Sequence, residues 1–223
     1  MTKGIIFDFD GVILDTETID YKVMCQIYEE YGAVLPLDMW ARRVGGHKNN
    51  FDPYEYLISC TQNNLNKNDL KKYKKAKYEQ CMANERLLPG VLSCLQSAKR
   101  MNIPVSIASS SPRKRIVELL GKFNIIDYFA YIVSSEDVVN VKPHPDLYLK
   151  AVSLMNLEPF DVIAIEDSPA GARAAKDADI YCIIVPNEMT RRFTFQNVDL
   201  QLNSLQEMEL PDLLNYVNIV KGR

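Results

Sequence analysis

Short, nearly continuous apolar runs alternate along this chain with segments whose apolar residues recur every three or four positions, the signatures of buried strands and of amphipathic helices. The first run is Gly4-Ile5-Ile6-Phe7, which leads into Asp8-Phe9-Asp10-Gly11-Val12. After Asp15, the residues Ile19, Val23, Ile27 and Tyr31 fall on one helical face as far as Gly32, and predict an amphipathic helix. A loop at 42–48, a segment from Tyr54 to Cys60 and a helix from about Asn68 to Asn84 follow, with no strand signal among them. Leu88-Pro89-Gly90 marks a boundary before a short helix over Val91–Arg100. From there strand and helix alternate: strands at Pro104–Ser109, Tyr131–Ser134, Val162–Ile165, Tyr181–Val185 and an edge strand at Leu200–Leu202, with helices at Pro145–Met155 and Ala170–Ala178. Ser111-Pro112 opens a further helix, with Ser111 as its N-cap and proline in the first helical position, and Pro211 opens the last one.

Alternating strands and helices with apolar strands imply an α/β fold: a doubly wound, Rossmann-like parallel sheet with helices on both faces. About seventy helical residues separate the first strand from the second, far more than a crossover requires. They predict an all-α cap subdomain at 16–86 inserted into a core of 1–15 plus 87–223. Ligands of such sheets bind at the carboxyl ends of the strands. The insertion leaves from that end, so a lid over the site is expected.

Composition narrows the function without naming it. A net charge of -3 over 223 residues excludes the strongly basic surface that nucleic acid demands. With no apolar run near the roughly 20 residues that span a bilayer, and Met1-Thr2-Lys3 leading straight into a strand, a cytoplasmic protein is expected, with no membrane partner and acting as a monomer. Its five cysteines are scattered, with no Cys-x-x-Cys pair, and read as reduced packing residues. Six lysines crowd between Lys67 and Lys77; a solvated helix face accounts for most of them.

The chemistry sits where strands end. Along an extended segment Asp8 and Asp10 emerge on one side and Phe7 and Phe9 on the other. Two converging carboxylates need a cation or a shared proton, which points to a divalent metal, and Gly11 permits the sharp turn that follows. Most acidic pairs at a strand end are solvated turns. A calcium loop would need an oxygen ligand where Val12 stands. Ser109-Ser110-Ser111 ends another strand at a helix N-terminus, a place for an anion. Lys142, in Val141-Lys142-Pro143-His144-Pro145, is a candidate to neutralise phosphate oxygens. Glu166-Asp167-Ser168 ends the most apolar strand. Adjacent residues there face opposite ways, so one acid is expected to ligate directly, with Asp167 chosen, and the other to support it.

With its extension Val12-Ile13-Leu14-Asp15-Thr16-Glu17, the first motif resembles that of the haloacid dehalogenase superfamily in its phosphotransferase form, and the later segments match in order and spacing. The branch with a helical cap after the first motif, which includes β-phosphoglucomutase and many sugar-phosphate phosphatases, is the most similar. The resemblance implies a Mg²⁺-dependent phosphatase of a small phosphorylated metabolite. Asp8 would be the nucleophile that becomes an aspartyl-phosphate, Asp10 the general acid and base, and Ser109 and Lys142 the grip on the phosphoryl group, with Ser110 beside them. Mg²⁺ would be held by Asp8, the Asp10 carbonyl and Asp167, with Glu166 in support. Lys48 and Lys77 are the cap residues expected to meet the substrate. A phosphosugar mutase is the alternative, and a catalytically silent binding protein a remote third reading. In β-phosphoglucomutase a cap histidine helps hold the intermediate against water; the corresponding position here is Asp20, which favours the phosphatase.

Overall fold

The computed structural model describes residues 1–41, 51–61 and 64–222. Six parallel strands form one sheet in the order β3-β2-β1-β4-β5-β6: β1 (Gly4–Phe7), β2 (Val105–Ala108), β3 (Tyr131–Val133), β4 (Val162–Glu166), β5 (Tyr181–Ile184) and β6 (Leu200–Gln201). The strand β1 lies between β2 and β4, with Ile5 opposite Val105 on one side and Ile163 on the other. The doubly wound parallel sheet expected from the apolar runs is the one observed.

The continuous apolar strands conceal a period of two. Ile5, Phe7, Val105, Ile107, Ile163, Ile165 and Ile183 join one cluster with residues of α5 (Val91–Arg100), α6 (Arg113–Lys122) and α9 (Leu210–Val220). Ile6, Ala108, Ala164, Cys182 and Ile184 join another with α7 (Asp146–Leu154) and α8 (Pro169–Asp177). The strands β1, β2, β4 and β5 therefore feed two cores and are buried throughout, whereas the edge strands β3 and β6 expose Tyr131 and Gln201. The alanines of α8 let it lie close on the sheet, where Ala172, Ala174 and Ala175 are buried.

Among the described residues the elements between β1 and α5 are helices: α1 (Thr16–Glu30), α2 (Leu37–Ala41), α3 (Pro53–Cys60) and α4 (Lys67–Ala83). Asp52 and Asn66 cap α3 and α4 by accepting from their first backbone N–H groups. These helices share a third cluster built on Val23, Ile27, Tyr28, Trp40, Leu57 and Leu70. The way in and the way out run side by side, since Leu88 N–H donates to Ile13 O at 3.0 Å. Two contacts dock α4 on α6: Tyr78 accepts from Arg115, and the Met82 carbonyl from Lys122. The segment 42–48, with Lys48, lies outside the described residues. Among the described residues no helix is long and apolar enough to cross a membrane.

The helix expected to open at Ser111-Pro112 begins at Arg113, with Pro112 as its N-cap and no side-chain cap. The Ser111 hydroxyl donates to Asp10 Oδ2 at 2.5 Å. A capping role for Ser111 is thereby corrected: a carboxylate brought in from β1 outcompetes the local backbone for that donor. Phe7, fully buried and edge-on to Phe129 with ring centroids 6.4 Å apart, fixes β1 against the first core. Phe7→Ala is expected to cost about 3–5 kcal/mol in urea denaturation; a loss below about 1 kcal/mol would show that the cluster does not depend on it.

Candidate active site

The carboxyl ends of β1, β2 and β4 meet at the point where the chain, having built one side of the sheet from β1, crosses to build the other. Asp8, one residue past β1, holds its position through its N–H bond to Ile165 O at 2.9 Å. Its Oδ1 lies 2.6 Å from Lys142 Nζ, which is also 2.6 Å from Glu166 Oε1. Tyr148 of α7 donates to that Glu166 oxygen at 2.7 Å, and its ring lies 5.2 Å beneath the lysine nitrogen. Glu166 Oε2 accepts from the Asp167 N–H at 3.1 Å. A Cβ on Gly171 would come within 1.9 Å of Glu166 Oε1, so glycine there is what lets the glutamate lie against α8.

Asp8, Glu166 and Asp167 are buried, and one carboxylate oxygen of each lies within 4.8 Å of the others. Burial, then Glu166, pushes the Asp8 carboxyl up to about 8, although Lys142 pulls the other way. Burial, Asp8 and Glu166 hold Asp167 well above the carboxylate range. Burial opposes the charge on Lys142, but Asp8 and Glu166 outweigh it and raise its pKa. One ammonium thus faces three carboxyl groups, a set that could hold a divalent cation.

Asp167 is met from behind. Asn187 Nδ2 donates to its Oδ2 at 2.7 Å, and Thr190 Oγ1 does so at 3.4 Å. Gly11 has φ +83°, and a Cβ there would stand 2.3 Å from the same oxygen. A side chain at position 11 is therefore excluded both by backbone conformation and by the carboxylate packed on it.

Asp10 is turned to a different set of partners. Its Oδ1 accepts from Thr16 Oγ1 at 2.6 Å and from Arg115 Nη1 at 2.7 Å, and its Oδ2 from Ser111 Oγ. Arg115 Nη1 also donates to Ser111 Oγ at 2.7 Å, and its Nη2 to Tyr78 of α4 at 3.0 Å. Ser109 is buried and accepts from the Ser111 N–H at 3.0 Å, while Ser110 is exposed. Lys77 pairs with Glu30 at 2.7 Å and lies 5.2 Å over the Tyr73 ring; its neighbour Tyr78 is the α4 residue bonded to Arg115.

The expected Asp8, Lys142, Glu166 and Asp167 are brought together. Arg115, Tyr148, Asn187 and Thr190 escaped the sequence reading. For Arg115 the available signal is its spacing of four from Ser111, one helical turn; for Asn187 it is a polar residue just past β5.

A family model described as haloacid dehalogenase-like hydrolase matches residues 5–185. The chain belongs to this family. YhcW of Bacillus subtilis (strain 168), which carries a phosphatase name, is 40% identical to the hydrolase over 218 residues, covering 98% of this chain and 99% of that one. A phosphorylated carbohydrates phosphatase of Thermotoga maritima is 31% identical over 182 residues, covering 80% and 82% of the two chains. A crystal structure of a variant of CbbY from Rhodobacter sphaeroides, in complex with xylulose-(1,5)bisphosphate, is 25% identical with a TM-score of 0.72 and covers 93% and 96%. The hydrolase is an enzyme of the phosphoric monoester class.

The raised carboxyls carry a pH dependence. Both titrate above the roughly 3.9 of an unfolded aspartate, so protonation favours the folded form. The contribution of Asp8 to stability is whole below the unfolded value and is lost as pH climbs through about 8, and that of Asp167 is lost in the same direction as pH rises. Calorimetry in EDTA is expected to show the Tm of the metal-free protein falling as pH rises from about 5 to about 8, with a shallower fall in Asp8→Asn. A Tm that climbs over that interval would contradict the arrangement.

Proposed function

We propose that this hydrolase removes phosphate from a small phosphorylated sugar or a similar metabolite, by two successive displacements on Asp8 with Mg²⁺ as cofactor. The observation that carries the reading is the buried set of Asp8, Lys142, Glu166 and Asp167 at the ends of β1 and β4, beside Ser109 at the end of β2. The similarity to a phosphorylated carbohydrates phosphatase and to a sugar bisphosphate complex supports the substrate class.

Asp8 is the nucleophile. Lys142 lies on its carboxylate and offsets the repulsion between that carboxylate and a phosphate dianion, while Ser109 offers a hydroxyl to the phosphoryl oxygens. Asp8 and Asp167 with the Asp10 carbonyl would hold Mg²⁺, which supplies positive charge against the transferring group. Glu166, held by Lys142 and Tyr148, keeps the lysine in place. Asp10 gives its proton to the leaving sugar oxygen and then takes one from the water that releases phosphate from Asp8.

The helices of 16–86 act as a cap over this site and shield it from bulk water. Lys48, outside the described residues, and Lys77, which would first have to leave its pair with Glu30, are the cap residues proposed to meet the substrate. Asp20, at the place of the mutase histidine, is paired with Lys74 of α4. A carboxylate so engaged supplies no imidazole-like control over the intermediate, which favours hydrolysis over transfer back to a sugar.

Phosphate release from a panel of sugar phosphates tests the reading. Turnover should disappear in EDTA and return with Mg²⁺, and Asp8→Asn should lower kcat by about 10³-fold or more. A wild-type protein inert toward the whole panel, or an Asp8→Asn enzyme with a substantial share of the rate, would refute it.

Arg115 and Ser111 fix the Asp10 carboxylate, so Arg115→Met should misplace the acid. An alkoxide leaving group needs that proton and nitrophenolate does not. The loss in kcat/KM, which stops at leaving-group departure, should be about 10- to 100-fold on a sugar phosphate and much smaller on p-nitrophenyl phosphate. Equal losses on the two substrates would assign Arg115 to the fold alone.

A further inference from the structure

The loop after β5 touches both halves of the molecule. Met189 is buried in the helical cluster with Val23, Met24 and Leu57, Phe193 packs against that cluster, and Glu188 pairs with Lys22 of α1 at 2.8 Å. On its other side the loop presents Asn187 to the site. All the amide's hydrogen-bonding capacity is used: Nδ2 donates to Asp167 Oδ2 at 2.7 Å and to Gly11 O at 3.4 Å, while Oδ1 accepts from the N–H groups of Met189 at 2.9 Å and Thr190 at 3.0 Å. Thr190, fully buried, accepts from the Asn187 N–H at 3.0 Å and directs its hydroxyl to the same Asp167 oxygen.

A carboxylate that must serve a metal needs one orientation out of many, and an aspartate side chain has two free torsions with which to lose it. Two donors converging on a single oxygen remove that freedom. They also spread the charge of a group surrounded by other carboxylates. Gly11 closes the third side, because its Cα hydrogens leave room where a Cβ would strike both Asp167 and Asn187.

We infer that Asn187, with Thr190 beside it, is a positioning residue that sets the Asp167 carboxylate for a divalent cation. The inference rests on the reading of Asp167 as a metal ligand and assigns the Asn187-x-x-Thr190 turn a task in the reaction. The anchorage by Met189 belongs to the fold; the two donors belong to the site. Removing partners that orient metal ligands typically weakens metal binding by about 10- to 100-fold.

The test is Mg²⁺ titration by calorimetry, with Mn²⁺ monitored by electron paramagnetic resonance as a second probe, on the full chain without substrate. Asn187→Ala should raise the Mg²⁺ Kd by about 10- to 100-fold. The near-isosteric Thr190→Val should weaken binding less, and Thr190→Ser, which keeps the hydroxyl, should retain wild-type affinity. Met189→Ala loosens the same loop without removing a donor, and should stay within about threefold of wild type, well under the loss expected from an orienting partner. In turnover, the Mg²⁺ concentration for half-maximal rate should rise in Asn187→Ala while kcat at saturating Mg²⁺ recovers. Unchanged affinity in both Asn187→Ala and Thr190→Val would overturn the inference, as would an equal loss in Met189→Ala or a wild-type protein that binds no Mg²⁺. Mg²⁺ binding without phosphate release would overturn the phosphatase reading and leave this one standing.

Discussion

Everything in this active site depends on a charge imbalance buried at the end of a sheet. Lys142 is held between Asp8 and Glu166, with Asp167 beside them, and in a medium of low polarity such a group is stable only when each charge has a partner and each oxygen a donor. The fold answers with Tyr148 from α7, Asn187 and Thr190 from the loop after β5, and the Asp167 amide itself. What remains uncompensated is negative charge, which suits a cation and, through it, a phosphate. The arrangement that costs the fold stability is the one to which the proposed function assigns catalysis.

The two aspartates of the first motif are separated by environment. Asp8 lies on the lysine in a buried setting; Asp10 lies among Thr16, Ser111 and Arg115, nearer the helices. Side chains two residues apart on a strand start on one face, yet the turn at Gly11 and the reach of Arg115 give them different neighbours. The roles proposed for them, nucleophile and acid–base group, require such a division, because identical surroundings would give them identical chemistry.

The strands were legible because most are short runs rich in apolar residues, with β1 and β4 ended by acids, and the helices because their periodicity and caps are local. Asp8, Glu166 and Asp167 could be picked out as polar residues at or just beyond those ends, and Lys142 as a lysine held in a proline-rich turn just before a helix. Strand order escapes such reading, since pairing of β1 with both β2 and β4 is a long-range matter. Arg115 and Asn187 escaped for the same reason: each looks like an ordinary surface residue until the chain brings Asp10, 105 positions away, or Asp167, 20 positions away, into reach. Ser111 shows the sharper failure. A local rule for helix caps gave a sound reading of Ser-Pro, and a stronger acceptor from another strand overrode it.

The adjacency of Ile13 and Leu88 has a further consequence. The helical segment enters and leaves the core through two stretches of chain joined by a backbone hydrogen bond, so its length can change without moving either end, and closure entropy grows only with the logarithm of the loop. Besides Met189 and Phe193, what it covers is the edge of the first core where Ile19, Tyr78 and Met82 pack. A chain built this way can exchange its helical segment, the part proposed to meet the substrate, while the sheet and its buried charges stay as they are. New specificities would then arise by insertion and deletion at a single seam, and the chemistry would be inherited unchanged.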